Sequence, residues 1–340
     1  MQNIILGKSN IEVSRLCFGA LTVGPLQANM SISAGGEVIA YAIEQGVNFI
    51  DTAQLYQTYP HIRRGMEISQ KFDTVITSKT YAYDQKTAIA AVEEARRELN
   101  RDYIDIFLLH EQENEHTLKG HREAFEYLCE CKGRGIIRAV GISTHHIAGV
   151  RAATKLNEID VIHPMINKRG LGIVDGTVDE MLNAIRIANE RNIGIYAMKV
   201  LGGGNLIGDV HTALDFVLNE PSIHSIAIGM QSIAEVDWNI AKFEGKSQEQ
   251  LPTKTRRLHI ESWCSACGSC VSRCKQGALR IDNPQSSKPP RHADACHPSK
   301  EGNLYHFSDL DDGKLVVDYE KCVLCGYCAT ACEEFCIKVI

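Results

Sequence analysis

Hydrophobic and polar positions follow two alternating patterns along roughly the first 240 residues of this chain of 340. Short apolar runs rich in β-branched residues, typical of buried strands, alternate with longer segments in which apolar residues recur every three or four positions, as in helices. The helical segments include KTAIAAVEEARRELN and HREAFEYLCECKGRG. The apolar runs are RLCFGA, VNFIDT, DTVITSK, YIDIFLLH, IIRAVGIS, IDVIHP, IGIYAMK and IHSIAIGM.

Eight strands that are each followed by a helix predict an α/β fold, a parallel (β/α)8 TIM barrel. The alternative is a doubly wound open sheet, but FGALTVG lacks the glycine-rich fingerprint expected after its first strand. The leading NIILGKSNIEV predicts a hairpin that closes the barrel floor. The polar segment FEGKSQEQLPTK marks a boundary, so residues 1–244 are assigned to the barrel and 245–340 to a second, smaller domain.

The second domain contains a cysteine motif twice. CSACGSCVSRC (264–274) and CVLCGYCATAC (322–332) share the spacing Cys-x2-Cys-x2-Cys-x3-Cys and hold eight of the 13 cysteines. Disulfides within such runs would be strained, and structural zinc would leave the third and fourth cysteines of each run without a role. The spacing is that of bacterial ferredoxins, so we predict two [4Fe–4S] clusters.

This spacing also predicts which cysteines share a cluster, because three cysteines of each run bind one cluster and the fourth binds the other. Cluster 1 is predicted to use Cys264, Cys267, Cys270 and Cys332, and cluster 2 Cys322, Cys325, Cys328 and Cys274. The region resembles a two-[4Fe–4S] ferredoxin, which implies a small α+β fold with GALRID and FCIKVI as paired strands. Residues around 282–318 are predicted to be an insert, since a compact ferredoxin needs a shorter connection.

Four chemically active side chains stand at or near the ends of predicted barrel strands, where TIM-barrel enzymes place their chemistry. Asp51 ends the second strand and Tyr56 follows five residues later. Lys79 ends the third strand and His110 the fourth. A nearby lysine lowers the pKa of a tyrosine, so we predict that Lys79, anchored by Asp51, prepares Tyr56 to donate a proton. His110 would hydrogen-bond a substrate carbonyl.

These residues lie in segments that resemble the aldo-keto reductases. NFIDTAQLY, VITSK and LLH match the family's catalytic aspartate, tyrosine, lysine and histidine in chain order, and FGALTVGPLQ and VGIS also look like family segments. The resemblance implies reduction of an aldehyde or ketone by hydride transfer from NADP or NAD. The chain departs from the family at three places, with Ser143-Thr144 for a Ser-Asn pair, His163 for a glutamine and Met198-Lys199 for an aromatic residue.

The loops after the seventh and eighth strands predict where cofactor phosphates would bind, because barrels use these loops and a helix N-terminus for that purpose. GMQSIAEVDWN contains no lysine or arginine to hold a 2′-phosphate, which leaves NAD and NADP both open. The predicted cofactor contacts are Gly19, Ser143, Thr144, Asn167, Met198, Lys199, Gly202, Gly203, Gly229, Gln231, Ser232, Glu235 and Asn239.

The composition of the chain limits the cellular location and the classes of binding partner that we expect for the protein. Hydrophobic content of 44% and charged content of 23% are those of a soluble globular protein. The net charge of −6 gives no basic footprint for nucleic acid, and no apolar run is long enough to cross a membrane. Abundant cysteines and the predicted clusters favour the cytoplasm of an anaerobic bacterium or archaeon.

The two predicted chemistries differ in electron count, because hydride transfer moves two electrons and a [4Fe–4S] cluster moves one. A flavin usually mediates between such partners. We favour a nicotinamide-dependent carbonyl reductase whose clusters are structural or serve docking. In a second interpretation, an external ferredoxin supplies electrons through the clusters to a flavin or a substrate in the barrel. A third, a non-catalytic electron-transfer subunit, is disfavoured by the presence of all four side chains.

Overall fold

The computed structural model describes residues 1–204, 206–246, 258–261, 264–282, 314–322, 324, 326–332 and 336–339. These residues form two compact units, Met1–Lys254 and Thr255–Ile340. Most of the predicted insert, residues 283–313, lies outside the described residues. Within the described part of the chain, no helix has both the length and the apolar character needed to span a membrane.

The first unit is built around eight parallel strands. In chain order they are β3 (Leu16–Gly19), β4 (Phe49–Asp51), β5 (Val75–Thr80), β6 (Ile104–Leu109), β7 (Ile137–Thr144), β8 (Val161–Pro164), β9 (Gly194–Ala197) and β10 (Ser225–Ile228). They close into a barrel in the order β10-β3-β4-β5-β6-β7-β8-β9. The predicted (β/α)8 barrel is therefore confirmed, and the open doubly wound sheet is wrong for this chain.

Helices follow each barrel strand, and their buried faces explain the periodic pattern of the sequence. They are α1 (Ile32–Glu44), α2 (Tyr59–Ser69), α3 (Gln85–Leu99), α4 (Glu115–Gly120), α5 (Arg122–Gly133), α6 (Ile147–Thr154), α7 (Val178–Glu190), α8 (Val210–Leu218) and α9 (Ile233–Phe243). In α3 the buried residues are Ala88, Ala91, Val92, Ala95 and Leu99, one stripe of a helix of 3.6 residues per turn. Asp84 starts α3 by accepting a hydrogen bond from the Thr87 amide in a capping box.

An N-terminal hairpin lies against the barrel interior, as predicted. Strands β1 (Asn3–Ile5) and β2 (Glu12–Ser14) pair antiparallel. Leu6, Ile11 and Val13 are buried in a cluster that also contains inward-facing residues of the barrel strands, such as Phe49 and Ile106. Gly7 has φ of +50°, and a Cβ there would lie 2.4 Å from the Gly194 amide nitrogen, so this close approach requires glycine.

The second unit contains two antiparallel strand pairs and two short helices. They are β11 (Leu258–Ile260), α10 (Ser269–Arg273), β12 (Leu279–Asp282), β13 (Lys314–Val317), α11 (Tyr327–Thr330) and β14 (Ile337–Val339). Both strands that were predicted to pair with each other are present, but each pairs with a different strand. β12 pairs with β13, and β14 pairs with β11, so each strand that follows a cysteine motif pairs with the strand that precedes the other motif.

Candidate active site and cluster sites

The structure brings the four predicted catalytic side chains together at the C-terminal end of the barrel. Asp51 ends β4 and Lys79 lies in β5, and the Lys79 ammonium donates to the Asp51 carboxylate at 2.8 Å and to the Thr52 carbonyl at 2.7 Å. Tyr56 ends a short 3-10 helix at Gln54–Tyr56. Its hydroxyl lies 3.5 Å from Nε2 of His110, the residue that follows β6. The Lys79 Nζ lies over the Tyr56 ring, 4.9 Å from its centre.

The pKa of Tyr56 is raised rather than lowered, so the prediction of a lowered pKa was wrong in its net direction. Burial of the phenol raises its pKa well above the usual value, and the negative charges of Asp51 and Glu111 raise it further. The reason is that Lys79 is already paired with Asp51 and faces the ring, so the pair presents little net positive charge to the hydroxyl. Tyr56 therefore keeps its proton at neutral pH, which is the form that a proton donor needs.

His110 is held in its neutral form. Burial, followed by the positive charge of Lys79, lowers its pKa well below the usual range. Within the described residues, the buried Nδ1 atom has no hydrogen-bond partner. Because an unpaired buried N–H is rarer than an unpaired acceptor, we assign the ring proton to Nε2, which faces the Tyr56 hydroxyl. Two hydrogen-bond donors, Nε2–H and the phenol, then converge on one position beside the strand ends.

A buried aromatic layer behind these residues was not predicted from the sequence. The Tyr196 hydroxyl, from β9, donates to Asp51 Oδ1 at 2.8 Å. The Tyr196 ring stacks on His163 with 3.8 Å between ring centres, and His163 Nδ1 lies 2.6 Å from the Tyr196 carbonyl oxygen. Burial lowers the pKa of His163 to about 3, so this ring stays neutral beside Asp51. The only sequence signal was the tyrosine within an apolar strand, which also fits ordinary core packing.

Tyr81 and Glu111 form a second unpredicted group at the rim. The Tyr81 ring stacks on His110, with 4.4 Å between centres and 24° between planes. The Tyr81 hydroxyl donates to the Glu111 carboxylate at 2.6 Å. Glu111 adopts φ of +51°, and its amide donates to the Ser143 hydroxyl at 2.9 Å. Tyr81 therefore fixes the plane of the His110 ring from the solvent side.

Several predicted cofactor contacts are engaged in local hydrogen bonds. Ser143, at the end of β7, binds the Glu111 amide, and the Thr144 hydroxyl accepts from the His146 amide at 3.0 Å. Asn167 is buried, and its side chain bonds both the carbonyl and the amide of Leu171. These three residues shape the loops around the site.

The loops after β3 and β10 lie against each other. A Cβ on Gly229 would lie 2.0 Å from the Thr22 side chain, and a Cβ on Gly19 would lie 3.2 Å from the Gly229 amide nitrogen. The Gln231 side-chain amide donates to the Thr22 carbonyl at 3.1 Å. Gly19, Gly229 and Gln231 are thus brought together at one edge of the barrel mouth.

The remaining predicted cofactor contacts occupy the loop after β9 and the start of α9. Met198 and Lys199 follow β9, and Lys199 adopts φ of +55°. Gly202 and Gly203 have φ of +57° and +64°, a conformation that favours glycine. Gly202 is buried, and its amide donates to the Lys199 carbonyl at 2.7 Å. Ser232 caps α9 by accepting from the Glu235 amide. The Asn239 side chain donates to the Glu235 carbonyl at 2.8 Å.

We expect Tyr196→Phe to lower the free energy of unfolding by about 1.5–3 kcal/mol, because it removes a buried hydrogen bond to a carboxylate while keeping the stacked ring. Urea unfolding followed by circular dichroism measures this change. Tyr41→Phe, which removes an exposed hydrogen bond to Asp237, is the control and should have a much smaller effect. Equal stabilities for Tyr196→Phe and the wild type would contradict the inferred role of Tyr196.

The two cysteine motifs of the second unit repeat the same backbone geometry. Ala266 and Leu324 have φ of +51° and +52°, and Gly268 and Gly326 have φ of +85° and +76°. The thiol of the fourth cysteine also accepts an equivalent hydrogen bond in each half, from the Ala278 amide to Cys274 at 3.3 Å and from the Cys336 amide to Cys332 at 3.2 Å. Amide N–H groups aimed at sulfur fit a cluster-bound thiolate.

The grouping of thiols in the first motif fits the predicted ligands of cluster 1. Burial, followed by the neighbouring thiols of Cys264, Cys267 and Cys332, raises the pKa of Cys270 to about 11, so one of the three neighbours comes from the other motif. Among the described residues, no three histidine, cysteine, aspartate or glutamate side chains are arranged to hold a single metal ion. Cys325, predicted for cluster 2, lies outside the described residues.

The two predicted ligands of cluster 2 that the structure describes in the second motif lie in the same small core. Cys328 is as buried as Cys270, each with 7% of its surface exposed, and Cys322 packs against the same core. Cys336 is buried at the position of Ala278 in the repeat, where both are small and almost fully covered. The geometry therefore repeats on both sides of this unit wherever it is described.

Comparisons with known proteins agree with this geometry. The family model for the aldo/keto reductase family matches residues 15–216, and that for a 4Fe-4S dicluster domain matches residues 263–336. A methylglyoxal reductase of Yersinia pestis is 28% identical over 162 residues, which cover 44% of this chain and 56% of that protein. The chain thus spans about half the length of the curated relatives that it matches.

Solved structures share the fold. A putative aldo-keto reductase from Pseudomonas aeruginosa superposes with a TM-score of 0.61 at 22% identity, over 72% of this chain and 94% of that one. An aldo-keto reductase of Bombyx mori in complex with NADP has a TM-score of 0.57 at 15% identity, over 73% of this chain and 89% of that one. Because the family model covers more than half of the sequence, the chain belongs to the aldo/keto reductase family of oxidoreductases, and it carries a 4Fe-4S dicluster domain in its C-terminal part.

Proposed function

We propose that this protein reduces a small aldehyde or ketone to an alcohol with a nicotinamide nucleotide as the electron donor. The observation that carries the proposal is the buried Lys79–Asp51 pair beneath a protonated Tyr56 whose hydroxyl lies 3.5 Å from His110. A neutral imidazole and a phenol that both point to one position form a site for a carbonyl oxygen on which negative charge develops.

Each side chain has a defined task in this reaction. His110 Nε2–H and the Tyr56 hydroxyl hydrogen-bond the carbonyl oxygen and orient the substrate. When bound, the reduced nicotinamide supplies a hydride to the carbonyl carbon. Tyr56 then gives its proton to the oxygen, which yields the alcohol, and the phenolate regains a proton from solvent. Lys79 stabilises the phenolate while it exists, and Asp51 pairs with the Lys79 ammonium in its buried position.

The residues present fit a dinucleotide at the loops that follow β9 and β10. The glycine turn after β9 has no side chains that would hinder a pyrophosphate, and α9 offers its N-terminus, while the Gly202 amide itself donates to the Lys199 carbonyl. Ser143, Thr144 and Asn167 would border the nicotinamide. The Bombyx mori relative with bound NADP supports this type of cofactor. Neither the described residues nor the comparisons support a flavin, and the proposal contains none.

The C-terminal unit would hold two [4Fe–4S] clusters, with Cys264, Cys267, Cys270 and Cys332 around one and Cys322, Cys325, Cys328 and Cys274 around the other. The strand exchange supports this interleaving, because the strand after each motif pairs with the strand before the other motif. We propose that the clusters do not take part in hydride transfer. This type of domain is compatible with an external ferredoxin as an electron-transfer partner.

An anaerobic titration tests the proposed function. The reconstituted protein is mixed with NADH or NADPH and methylglyoxal, the substrate named for the Yersinia pestis relative, and nicotinamide absorbance and cluster EPR are followed together. We expect the nucleotide to be oxidised in proportion to the carbonyl reduced, with no reduced-cluster signal. Growth of a cluster signal as nicotinamide is oxidised would contradict the separation of the two chemistries. No oxidation of either nucleotide with any small aldehyde would contradict the reductase assignment.

The pH dependence follows from the direction of the two pKa shifts. Reduction needs Tyr56 protonated, and because its pKa is raised, kcat/KM for reduction should not fall through the usual tyrosine titration near pH 10. Neutral His110 has a lowered pKa, so no loss from its protonation is expected as the pH falls to about 6. Initial rates between these limits measure both. An alkaline loss centred at or below about pH 10 would contradict the inferred state of Tyr56.

A further inference from the structure

The short 3-10 helix that carries Tyr56, called here the Tyr56 turn, is too short to be stable by itself. It consists of the three residues Gln54–Tyr56, and its N-cap is Ala53, whose methyl side chain cannot cap it. Leu55 exposes 49% of its surface, so apolar burial of this side chain does little to fix the turn. Because a single turn of helix gains few hydrogen bonds for the backbone freedom that it loses, contacts with other elements must hold it in place.

The side-chain amide of Gln54 joins the Tyr56 turn to two other elements of the barrel. Its Nε2 donates to the Glu94 carboxylate on α3 at 2.7 Å, and its Oε1 accepts from the Thr80 hydroxyl at the end of β5 at 2.8 Å. The Thr80 hydroxyl in turn accepts from the Ala82 amide at 3.1 Å. Since a carboxylate can only accept, the donors and acceptors along this chain of hydrogen bonds allow one orientation of the Gln54 amide.

Thr80 also connects the Tyr56 turn with His110. It directly follows Lys79 in β5, and its carbonyl oxygen accepts from the His110 amide at 2.8 Å. The hydroxyl of Thr80 thus holds the Tyr56 turn through Gln54, while the carbonyl of the same residue holds the backbone of His110. The separation of 3.5 Å between the Tyr56 hydroxyl and His110 Nε2 therefore depends on a path through Gln54 and Thr80.

We propose that Gln54 is a positioning residue, which holds the Tyr56 hydroxyl at the distance from His110 that a carbonyl oxygen requires. It acts through Tyr56 and has no contact with the substrate. A hydrogen bond to a carboxylate is stronger than one between neutral groups, so the contact with Glu94 is the firmer of its two anchors. Misplacement of a catalytic group by about 1 Å can lower a rate by about 100-fold. This inference rests on the proposed function, in which Tyr56 donates the proton.

Gln54→Leu tests the inference, because it removes both hydrogen bonds and keeps a side chain of similar size. We expect kcat for carbonyl reduction to fall about tenfold, while KM for the carbonyl and the dissociation constant of the nucleotide stay within about threefold of the wild type. Gln45→Leu is the matched control, since Gln45 is exposed at the C-terminal end of α1, and it should keep the wild-type kcat. Circular dichroism verifies that each variant is folded.

An exchange of the two side chains separates the position of the Tyr56 turn from the chemical identity of Gln54. Gln54→Glu places a second carboxylate against that of Glu94, and their repulsion should displace the turn and lower kcat about tenfold. Glu94→Gln alone keeps an acceptor for the Gln54 amide and should stay within about threefold of the wild type. The double variant Gln54→Glu/Glu94→Gln restores both hydrogen bonds, so its kcat should return to within about threefold of the wild type.

Deuterium uptake by the segment 52–58, followed by mass spectrometry without substrate or nucleotide, measures the same effect independently of activity. Within the turn the Tyr56 amide donates to the Ala53 carbonyl at 3.0 Å, so protection of this amide reports whether the turn is held. Uptake should be faster in Gln54→Leu and Gln54→Glu than in the wild type, and it should slow again in the double variant.

Three results would overturn the positioning role. They are a wild-type kcat in Gln54→Leu, unchanged deuterium uptake in that variant, and a loss in Gln54→Glu that the double variant does not reverse, since Gln54 itself would then be required. If the wild type oxidises neither nucleotide with any small aldehyde, the proposed function fails. Deuterium uptake by the three Gln54 variants then still decides whether Gln54 holds the Tyr56 turn.

Discussion

Replacing Tyr56 by phenylalanine is expected to lower kcat for carbonyl reduction by at least about 100-fold, because the variant keeps the ring but has no proton to give to the alkoxide. The dissociation constant of the nicotinamide nucleotide should stay nearly unchanged, since the proposed nucleotide contacts lie on other loops. Steady-state kinetics gives kcat, and fluorescence titration gives the dissociation constant. The phenylalanine ring keeps the face over which the Lys79 ammonium lies, so the Lys79–Asp51 pair should persist.

A matched control separates loss of the proton donor from a general loss of tyrosine hydroxyls. Tyr83 lies in the loop after β5 and exposes 61% of its surface, so Tyr83→Phe should retain the wild-type rate. Activity of the Tyr56 variant within a factor of ten of the wild type would assign the proton to another donor, and the neutral His110 is the nearest one.

Cys270→Ser is expected to reduce bound iron by about one cluster, half of the total, and to remove one of two EPR signals in the reduced protein. The reason is that the serine hydroxyl is a poor replacement for a thiolate in a position buried among three other thiols. Iron and sulfide per chain after anaerobic reconstitution measure the loss. Cys336→Ala, which copies the alanine found at the equivalent position of the other half, should retain both clusters.

The interleaved assignment also predicts which EPR signal each cysteine variant removes. Cys332→Ser lies in the second motif, yet it should remove the same EPR signal as Cys270→Ser. Cys274→Ser lies in the first motif, yet it should remove the other signal. If each variant instead removes the signal of its own motif, the clusters are not interleaved, and wild-type iron content in Cys270→Ser would undo the assignment of that ligand.

The sequence was most informative where spacing along the chain determines position in space. Strand runs that alternate with helices predicted the barrel, and the rule that parallel strands point their carboxyl ends to one face predicted that Asp51, Lys79 and His110 meet. The repeated cysteine spacing similarly predicted a domain that a family model identifies. In both cases a local pattern was sufficient because the fold converts it directly into geometry.

Features that depend on contacts between distant strands were missed. Tyr196 has the position of a core residue in an apolar run, and its hydrogen bond to Asp51 joins residues 145 positions apart. The pKa of Tyr56 was predicted in the wrong direction, because the effect of a lysine depends on its partners and on burial, which the sequence does not give. The strand pairing of the second unit depends likewise on how its two halves cross.

Asp51 joins three strands, because its carboxylate accepts from Lys79 on β5 and from Tyr196 on β9, on another side of the barrel interior. A relative that had lost its enzymatic activity would still need an acid at this position, since without it a buried ammonium and a buried phenol would both lose their partner. Tyr56, half-buried at the end of the 3-10 helix Gln54–Tyr56, has no comparable role in folding. Retention of Tyr56 is therefore the better criterion for telling active relatives from inactive ones, whereas Asp51 and Lys79 would persist in both.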